Sequence, residues 1–527
     1  MSAENGRNAE SRRTDRRDLL LAGLVALGLM AMFVAVQRGK VSTYDSKIAL
    51  ATARAIADGH LHLTPADDHT GRNLPYSHYG IGMPLVILPL YLLQRALQVS
   101  PEMLTTLASP LLLAASGALL YLCGRELGWS RRVSLAAGLV FGALTQALQI
   151  SQDLFSEPGV ACGTALLVVG MLRWRAGRPS GPWLAGSGLG VGLLFRSDSA
   201  ILLGVGLLLL PAVVPWRRLL AERRAWLGLV LPILPVLAWT AWYSLRRDGT
   251  LVPAVYGGTF TTPLLEGLHG LLLSRGRSLL VYNPFLLLAV PGAIALWRRD
   301  RAATALLVVL VVVRPLFFAR WNAWGGGVNW GPRFLMPSVG PLSLLAVYAA
   351  SRVGRLHVGL RVPAALVVAG LVVVGGVVSV ASVWVWPGAS WRWREYRPPG
   401  LEGQALREFS AERRNAYIYT FSNSAIAFNL RHLAHDNPDF PLNHFRGGAD
   451  PIGLIGVAVA LLAPLASWVL GRPPRGPPSQ TNQPPSLGLQ ASSRGRQPTV
   501  RSWIRCGSFP PPDHGGRRSQ LSVETLN

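Results

Sequence analysis

The chain has 527 residues, of which 50% are hydrophobic and only 15% charged, yet its formal net charge is +25. Apolar runs of 15 to 23 residues separated by short arginine clusters exclude a soluble globular domain, since about 20 apolar residues in a helix cross the hydrocarbon core. They also make the positive charge a matter of membrane topology rather than of nucleic acid, for which no partner role is expected.

Only helices and closed barrels hide their backbone polar groups in lipid, so the expected fold is all-α and polytopic. Residues 1–18, containing SRRTDRRD, read as a basic cytoplasmic N-terminus. The run 19–37 is long enough to span and is followed by no small-residue cleavage motif, so it reads as a retained helix. Further runs lie at 80–97, 104–122, 133–150, 159–172, 182–195, 199–215, 226–245, 278–297, 302–319, 334–351, 363–386 and 452–470. The run 80–97 carries Pro84 and Pro89, which disfavour an uninterrupted helix, and it is placed along the outer interface. About twelve spans remain. The short arginine-rich loops GRELGWSRR, RWRAGR, WRRLLAERR, WRRDR and SRVGRLHVGLR then all face the cytoplasm, as the positive-inside rule asks.

The opposite face receives the chemistry. The first outer loop, 38–103, contains a short surface helix over Ser46 to Asp58 with Asp45 at its start, where a carboxylate either caps the helix or acts on a substrate. Asp67, Asp68 and His69 read as a solvated turn. SQDLFSEP places Asp153 and Glu157 at the membrane boundary, where carboxylates are costly to bury without a role. Arg196 and Asp198 read as a local ion pair at a hairpin tip, and Arg314 lies deep enough that it must face protein or water. Arg275, Arg277, Arg320 and Arg333 fall on the outer side, where the positive-inside rule disfavours them. Arginine's planar fork suits a lipid phosphate, which makes these four candidates for a phosphate site. Residues 387–451 form a further outer segment and 452–470 the last span. Residues 471–527, rich in Pro, Ser, Gly and Arg, read as a disordered cytoplasmic tail. Cys123, Cys162 and Cys506 give neither a disulfide framework nor a metal spacing.

These segments stand in a recognisable order. An acid followed by ATARAIADGHL, then YSHYGIGMPLVILPLYLL, SQDLFSEPGVACGTALLVV and GLGVGLLFRSDSAILL resembles the GT-C superfamily of membrane glycosyltransferases. The resemblance is closest to bacterial relatives of the protein O-mannosyltransferases and of the lipid A aminoarabinose transferase. HGLLLSRGRSLLVYNPFLLL and ARWNAWGGGVNWGPRFLMP extend it over about residues 15 to 350.

The resemblance implies a GT-C type transmembrane catalytic region, 19–386, in the cell (inner) membrane. It moves a sugar from a polyprenyl-phosphate donor to an extracytoplasmic glycan, lipid or protein acceptor, with inversion. It implies Asp45 as the general base or as the group that orients the acceptor hydroxyl, with Asp153 or Glu157 assisting at the acceptor or holding a metal. Ser46 departs from the mannosyltransferase pattern, where an acid follows the aspartate, and the chain has no DxD motif, so a divalent metal is not indicated. His78 and Tyr79 in the first loop, and Trp324, Asn329 and Trp330 in the glycine-rich stretch, are the candidate substrate-pocket residues. The alternative function is a transporter or flippase of a lipid-linked sugar, sharing the same arginines and lipid groove.

Overall fold

The computed structural model describes residues 2–64, 75–99, 102–251, 259–327, 329–384 and 402–432. All of these belong to one compact unit, Met1–Arg472. The turn at Asp67–His69 and the expected span at 452–470 lie outside the described residues, as do the tail and most of the segment 387–451. Among the described residues the regular structure is entirely helical.

Helix α1 (Ser2–Ala35) holds the first apolar run. The first loop folds into α2 (Tyr44–Ala57), whose N-cap is Thr43 in an extended conformation. Asp45 therefore sits in the first turn rather than capping it. Next comes α3 (Gly82–Leu97), which runs unbroken through Pro89, contrary to the interruption expected from its prolines. Pro84 falls in the first turn, where a missing N–H costs nothing. At 16 residues α3 is about 24 Å long, short for a span.

α4 (Ala108–Glu126) and α5 (Arg131–Ala143) form a hairpin whose second arm opens with a Ser130 cap. The run 133–150 is not one helix. It breaks after Ala143 and resumes as the single turn α6 (Ala147–Ile150), because the Gln146 N–H leaves the helical ladder to donate to Asn283 Oδ1 at 2.7 Å.

α7 (Glu157–Arg175) and α8 (Ser180–Phe195) approach backbone to backbone. A Cβ at Gly163 would lie 2.6 Å from the Gly188 carbonyl oxygen, and one at Gly170 only 2.2 Å from the Ala185 nitrogen. Close packing through small residues of this kind is what holds helices together where lipid supplies no hydrophobic contrast.

Beyond it lie α9 (Ala200–Val213), the short α10 (Trp216–Ala221), and α11 (Arg223–Val230) with α12 (Leu234–Asp248). The run 278–297 is likewise broken, into α14 (Leu279–Tyr282), a 3-10 segment and α15 (Ala289–Trp297); α13 (Leu264–Leu268) precedes it, followed by a π turn at His269–Leu273. α16 (Arg301–Ala319) and α17 (Met336–Ser351) flank the glycine-rich stretch, and α18 (Val358–Trp384) is 27 residues long with most of its valines and leucines exposed. From residues 387–451, α19 (Gly403–Tyr419) and α20 (Ala425–His432) are described.

Among the described residues six helices are long and apolar enough to cross a membrane, and four shorter apolar helices accompany them. The expected count of about twelve is not reached on that criterion, and the broken helices are one physical reason. The chain is a multi-pass membrane protein.

Candidate active site

Six charged side chains from five separate segments join in one line. Asp45, in the first turn of α2, receives the Tyr79 hydroxyl on Oδ1 at 2.6 Å and the Arg333 guanidinium on Oδ2. Arg333 Nε also stands 3.8 Å from Glu157 Oε1, at the start of α7. That same oxygen accepts from Arg196 Nη1 at 2.8 Å. Arg196 Nε reaches Asp198 Oδ1 at 2.7 Å, and Arg314 Nη2 meets Asp198 Oδ2 at 2.9 Å. Three acids and three arginines alternate, so the line is neutral as a whole.

Exposure falls along it. The Asp45 side chain is 19% exposed and Arg333 11%, whereas Glu157 is 0% and Arg314 3%. Asp45 is thus the end that meets solvent or a ligand. Phe155 and Phe334 bracket the Arg333 guanidinium at 4.8 and 5.1 Å. Burial alone would raise the Asp45 carboxyl, but Arg333, Tyr79 and Arg196 together outweigh it and hold the group below the usual carboxylate range. The line carries unspent capacity: Glu157 Oε2 and Arg333 Nε are buried without a hydrogen-bond partner among the described residues.

Asp153 has a different environment. Its Oδ2 accepts the Thr43 N–H at 3.0 Å and its Oδ1 the Leu154 N–H at 2.9 Å. Ser46 Oγ accepts from the Leu154 N–H, and Ser109 Oγ donates to the Asp153 carbonyl. These bonds fasten the first turn of α2 to the SQDLFSEP loop. Burial dominates here and pushes the Asp153 carboxyl above its ordinary value.

An apolar groove of about 660 Å3 opens beside this site, lined by Ile56, Leu61, Ile81 and Leu85 on one wall and Trp239 and Trp242 of α12 on the other. A smaller pocket lined by His78, Tyr79 and Arg247 shares Ile81, Leu194 and Trp239 with the groove. The His78 and Tyr79 rings are 4.0 Å apart. Tyr79 thus lines the pocket that adjoins the groove and donates its hydroxyl to Asp45.

The remaining sequence candidates divide. Arg275 and Arg320 are exposed, with Arg320 donating to the Phe260 carbonyl. Arg277 is buried and holds the glycine loop from behind, donating to the carbonyls of Gly325 and Gly327 and to Asn329 Oδ1. Gly326, Gly327 and Gly331 all have positive φ, between 67° and 78°, so this loop requires glycine there. Trp330 is buried edge-on to Tyr282, and Trp324 lines a separate cavity. The four arginines expected at a phosphate site therefore do not form one cluster. Arg196, Asp198 and Arg314 join the site although their sequence reading placed them outside it; their signal was ionisable residues inside apolar runs. Among the described residues no three His, Cys, Asp or Glu gather as a metal set.

No protein-family model matches the chain, and no curated protein does. Solved structures do resemble it. One is ArnT from Cupriavidus metallidurans bound to undecaprenyl phosphate, at 15% identity over 86% of this chain and 76% of that one, with a TM-score of 0.46. Another is the oligosaccharyltransferase AglB from Archaeoglobus fulgidus, in complex with an inhibitory peptide and a dolichol-phosphate, at 13% identity over 77% of this chain and a TM-score of 0.44. The chain spans 60% of that archaeal protein's length. Both are GT-C glycosyltransferases.

Proposed function

We propose that the protein is a membrane glycosyltransferase that takes a sugar from a polyprenyl-phosphate donor and passes it, with inversion, to an acceptor hydroxyl outside the cytoplasm. The observation that carries this reading is Asp45. It is an ionised carboxylate at the open end of a buried charge line, bonded to Tyr79, which lines a pocket adjoining a groove apolar enough for an isoprenoid tail.

A tail in the groove leaves its phosphate near His78, Tyr79 and Arg333. The acceptor oxygen forms its bond to the anomeric carbon while the bond from that carbon to phosphate oxygen breaks. The proton passes to Asp45 and the electron pair leaves on the phosphate. Arg333 is the group that links the two events. While it pairs with Asp45 it keeps the carboxylate charged but weakly basic. As negative charge grows on the leaving phosphate, Arg333 turns toward it, stabilises it and frees Asp45 to accept the proton. Glu157 keeps Arg333 in place from the buried side, and Asp153 positions the turn that carries Asp45.

The test is transfer by the purified chain in proteoliposomes supplied with a panel of polyprenyl-phosphate sugars and a cell-envelope extract as acceptor. Release of free polyprenyl phosphate coupled to a glycosylated product is expected. Movement of intact donor between leaflets without release would instead identify a flippase.

A further inference from the structure

A second cavity, of about 700 Å3, lies behind the glycine loop and shares no lining residue with the apolar groove or the Tyr79 pocket. Its walls come from three separate segments: residues 261–266, the loop 322–327 and the last turns of α19. The docking of α19 is tight. Gly276 donates to the Ile418 carbonyl at 2.9 Å, and a Cβ at Gly276 would fall 2.3 Å from the Tyr417 oxygen.

Arg277 forms the floor. It is 1% exposed, lies over the Tyr417 ring at 5.6 Å, and uses Nε and Nη2 to hold the loop. Its Nη1 has no acceptor among the described residues. An unmade bond on a buried guanidinium is costly, and Arg277 is one of the residues that line this cavity. Two aromatic rings are fixed around that space. Trp324 packs on Gly270, where a Cβ would be 2.0 Å from the indole, and Tyr419 stacks on His269 at 5.5 Å with the planes 11° apart. Asn322, Asn415 and Glu266 complete the lining with amide and carboxylate groups.

We infer that this cavity binds the acceptor, and that the acceptor presents a sugar residue bearing one oxyanion. Arg277 Nη1 takes the oxyanion, the two asparagines and Glu266 take hydroxyls, and Trp324 and Tyr419 cover the apolar ring faces. Glu266 repels a second anionic group, which limits the site to a singly substituted sugar. An isoprenoid tail suits the apolar groove rather than this cavity, whose lining carries amide, hydroxyl, carboxylate and guanidinium groups. The two sites meet at the loop: Arg277 grips Gly325 and Gly327, and a Cβ on Gly326 between them would lie 3.4 Å from Arg333 Cγ. Occupying the cavity thus steadies the loop that backs Arg333. The inference rests on the glycosyltransferase reading for the word acceptor, but the binding itself does not.

Saturation-transfer NMR on the full chain in detergent, with glucuronate, glucose 6-phosphate, glucose and inorganic phosphate as probes, tests it. One of the two anionic sugars, and which one names the oxyanion, is expected to bind about tenfold more tightly than glucose, the loss that one charged hydrogen bond implies. Arg277→Met should remove that difference. Asn415→Trp, at an exposed position of α19, should fill the cavity and abolish binding with the thermal midpoint unchanged, so it decides the matter even if Arg277→Met fails to fold. Asp45→Asn should bind the sugar as the parent does. Equal binding of all four probes, binding of inorganic phosphate alone, or full binding by Asn415→Trp would overturn the inference. Loss of transfer in Asp45→Asn bears only on the transferase mechanism.

Discussion

Two buried clusters of carboxylates and arginines can be set side by side. In the first, Asp18 of α1 receives Tyr121 at 2.9 Å, Arg131 at 2.8 Å and Arg125 at 3.1 Å. Every one of those donors is directed at a carboxylate oxygen, and no described cavity is lined by Asp18. The second is the line from Asp45 to Arg314. Unlike the first, with one acid between two arginines, it is neutral, but Glu157 Oε2 and Arg333 Nε are left over, Arg333 is divided between two acids, and the Asp45 partner Tyr79 lines a pocket. A satisfied cluster fastens helices. An under-satisfied one beside a cavity has capacity left for a ligand.

The buried end of the Asp45 line should give the largest effect. Arg314→Met leaves one side of Asp198 unpaired, and removing one partner of a buried pair costs about 3 to 5 kcal/mol. A large drop in thermal midpoint and in folded yield is expected, and a variant as stable as the parent would show that the line contributes no cohesion. Asp18→Asn should cost less, about 1 to 3 kcal/mol, because its donors keep part of an acceptor. Transfer per folded molecule should be unchanged, and a selective loss of transfer would erase the contrast between the clusters.

Tyr79→Phe tests the open end. It removes one of the groups that depress the Asp45 carboxyl. In the parent, transfer should survive acidification through the ordinary carboxylate range and fail only below it; in Tyr79→Phe the acid limb of the rate profile should move to higher pH. Linkage runs the same way. Stability contributed by Asp45 is present above its unfolded value and is lost as pH falls through its lower folded value.

Asp153 gives the smallest effect, with the opposite sign. Its folded value is raised, so the folded state binds the proton more readily and stability declines as pH rises from the unfolded value through the folded one. Asp153→Asn should flatten that slope and change stability at neutral pH by less than about 1 kcal/mol, a balance between the removed burial cost and one weakened hydrogen bond. Unfolding curves across pH 4 to 7 check it.

The legible part of this site was its ionisable membership. Asp45, Glu157 and Arg333 stood out because charge is costly in so apolar a chain. Their partners were not legible. Arg196 and Asp198 read as a pair closed on itself, two residues apart, yet Arg196 also reaches Glu157, 39 residues earlier. That contact depends on the close approach of α7 and α8 across Gly163 and Gly188, and on Phe195 filling the space at Gly159, where a Cβ would lie 2.2 Å from its ring. Glycines mark such an approach without saying which helix makes it. The fold class followed from hydropathy, whereas the break after Ala143 did not, because it goes with a tertiary hydrogen bond from Gln146 to Asn283. Trp239 and Trp242 were hidden inside an apolar run that looked like any other span.

The most direct test of the account is Asp45→Asn in proteoliposomes, with sugar transfer and donor binding measured on the same preparation. Transfer should fall by about 10² to 10⁴-fold, the range for a lost general base, with donor binding retained. Transfer at the parent rate would contradict the assignment of Asp45 as the base and with it the central claim.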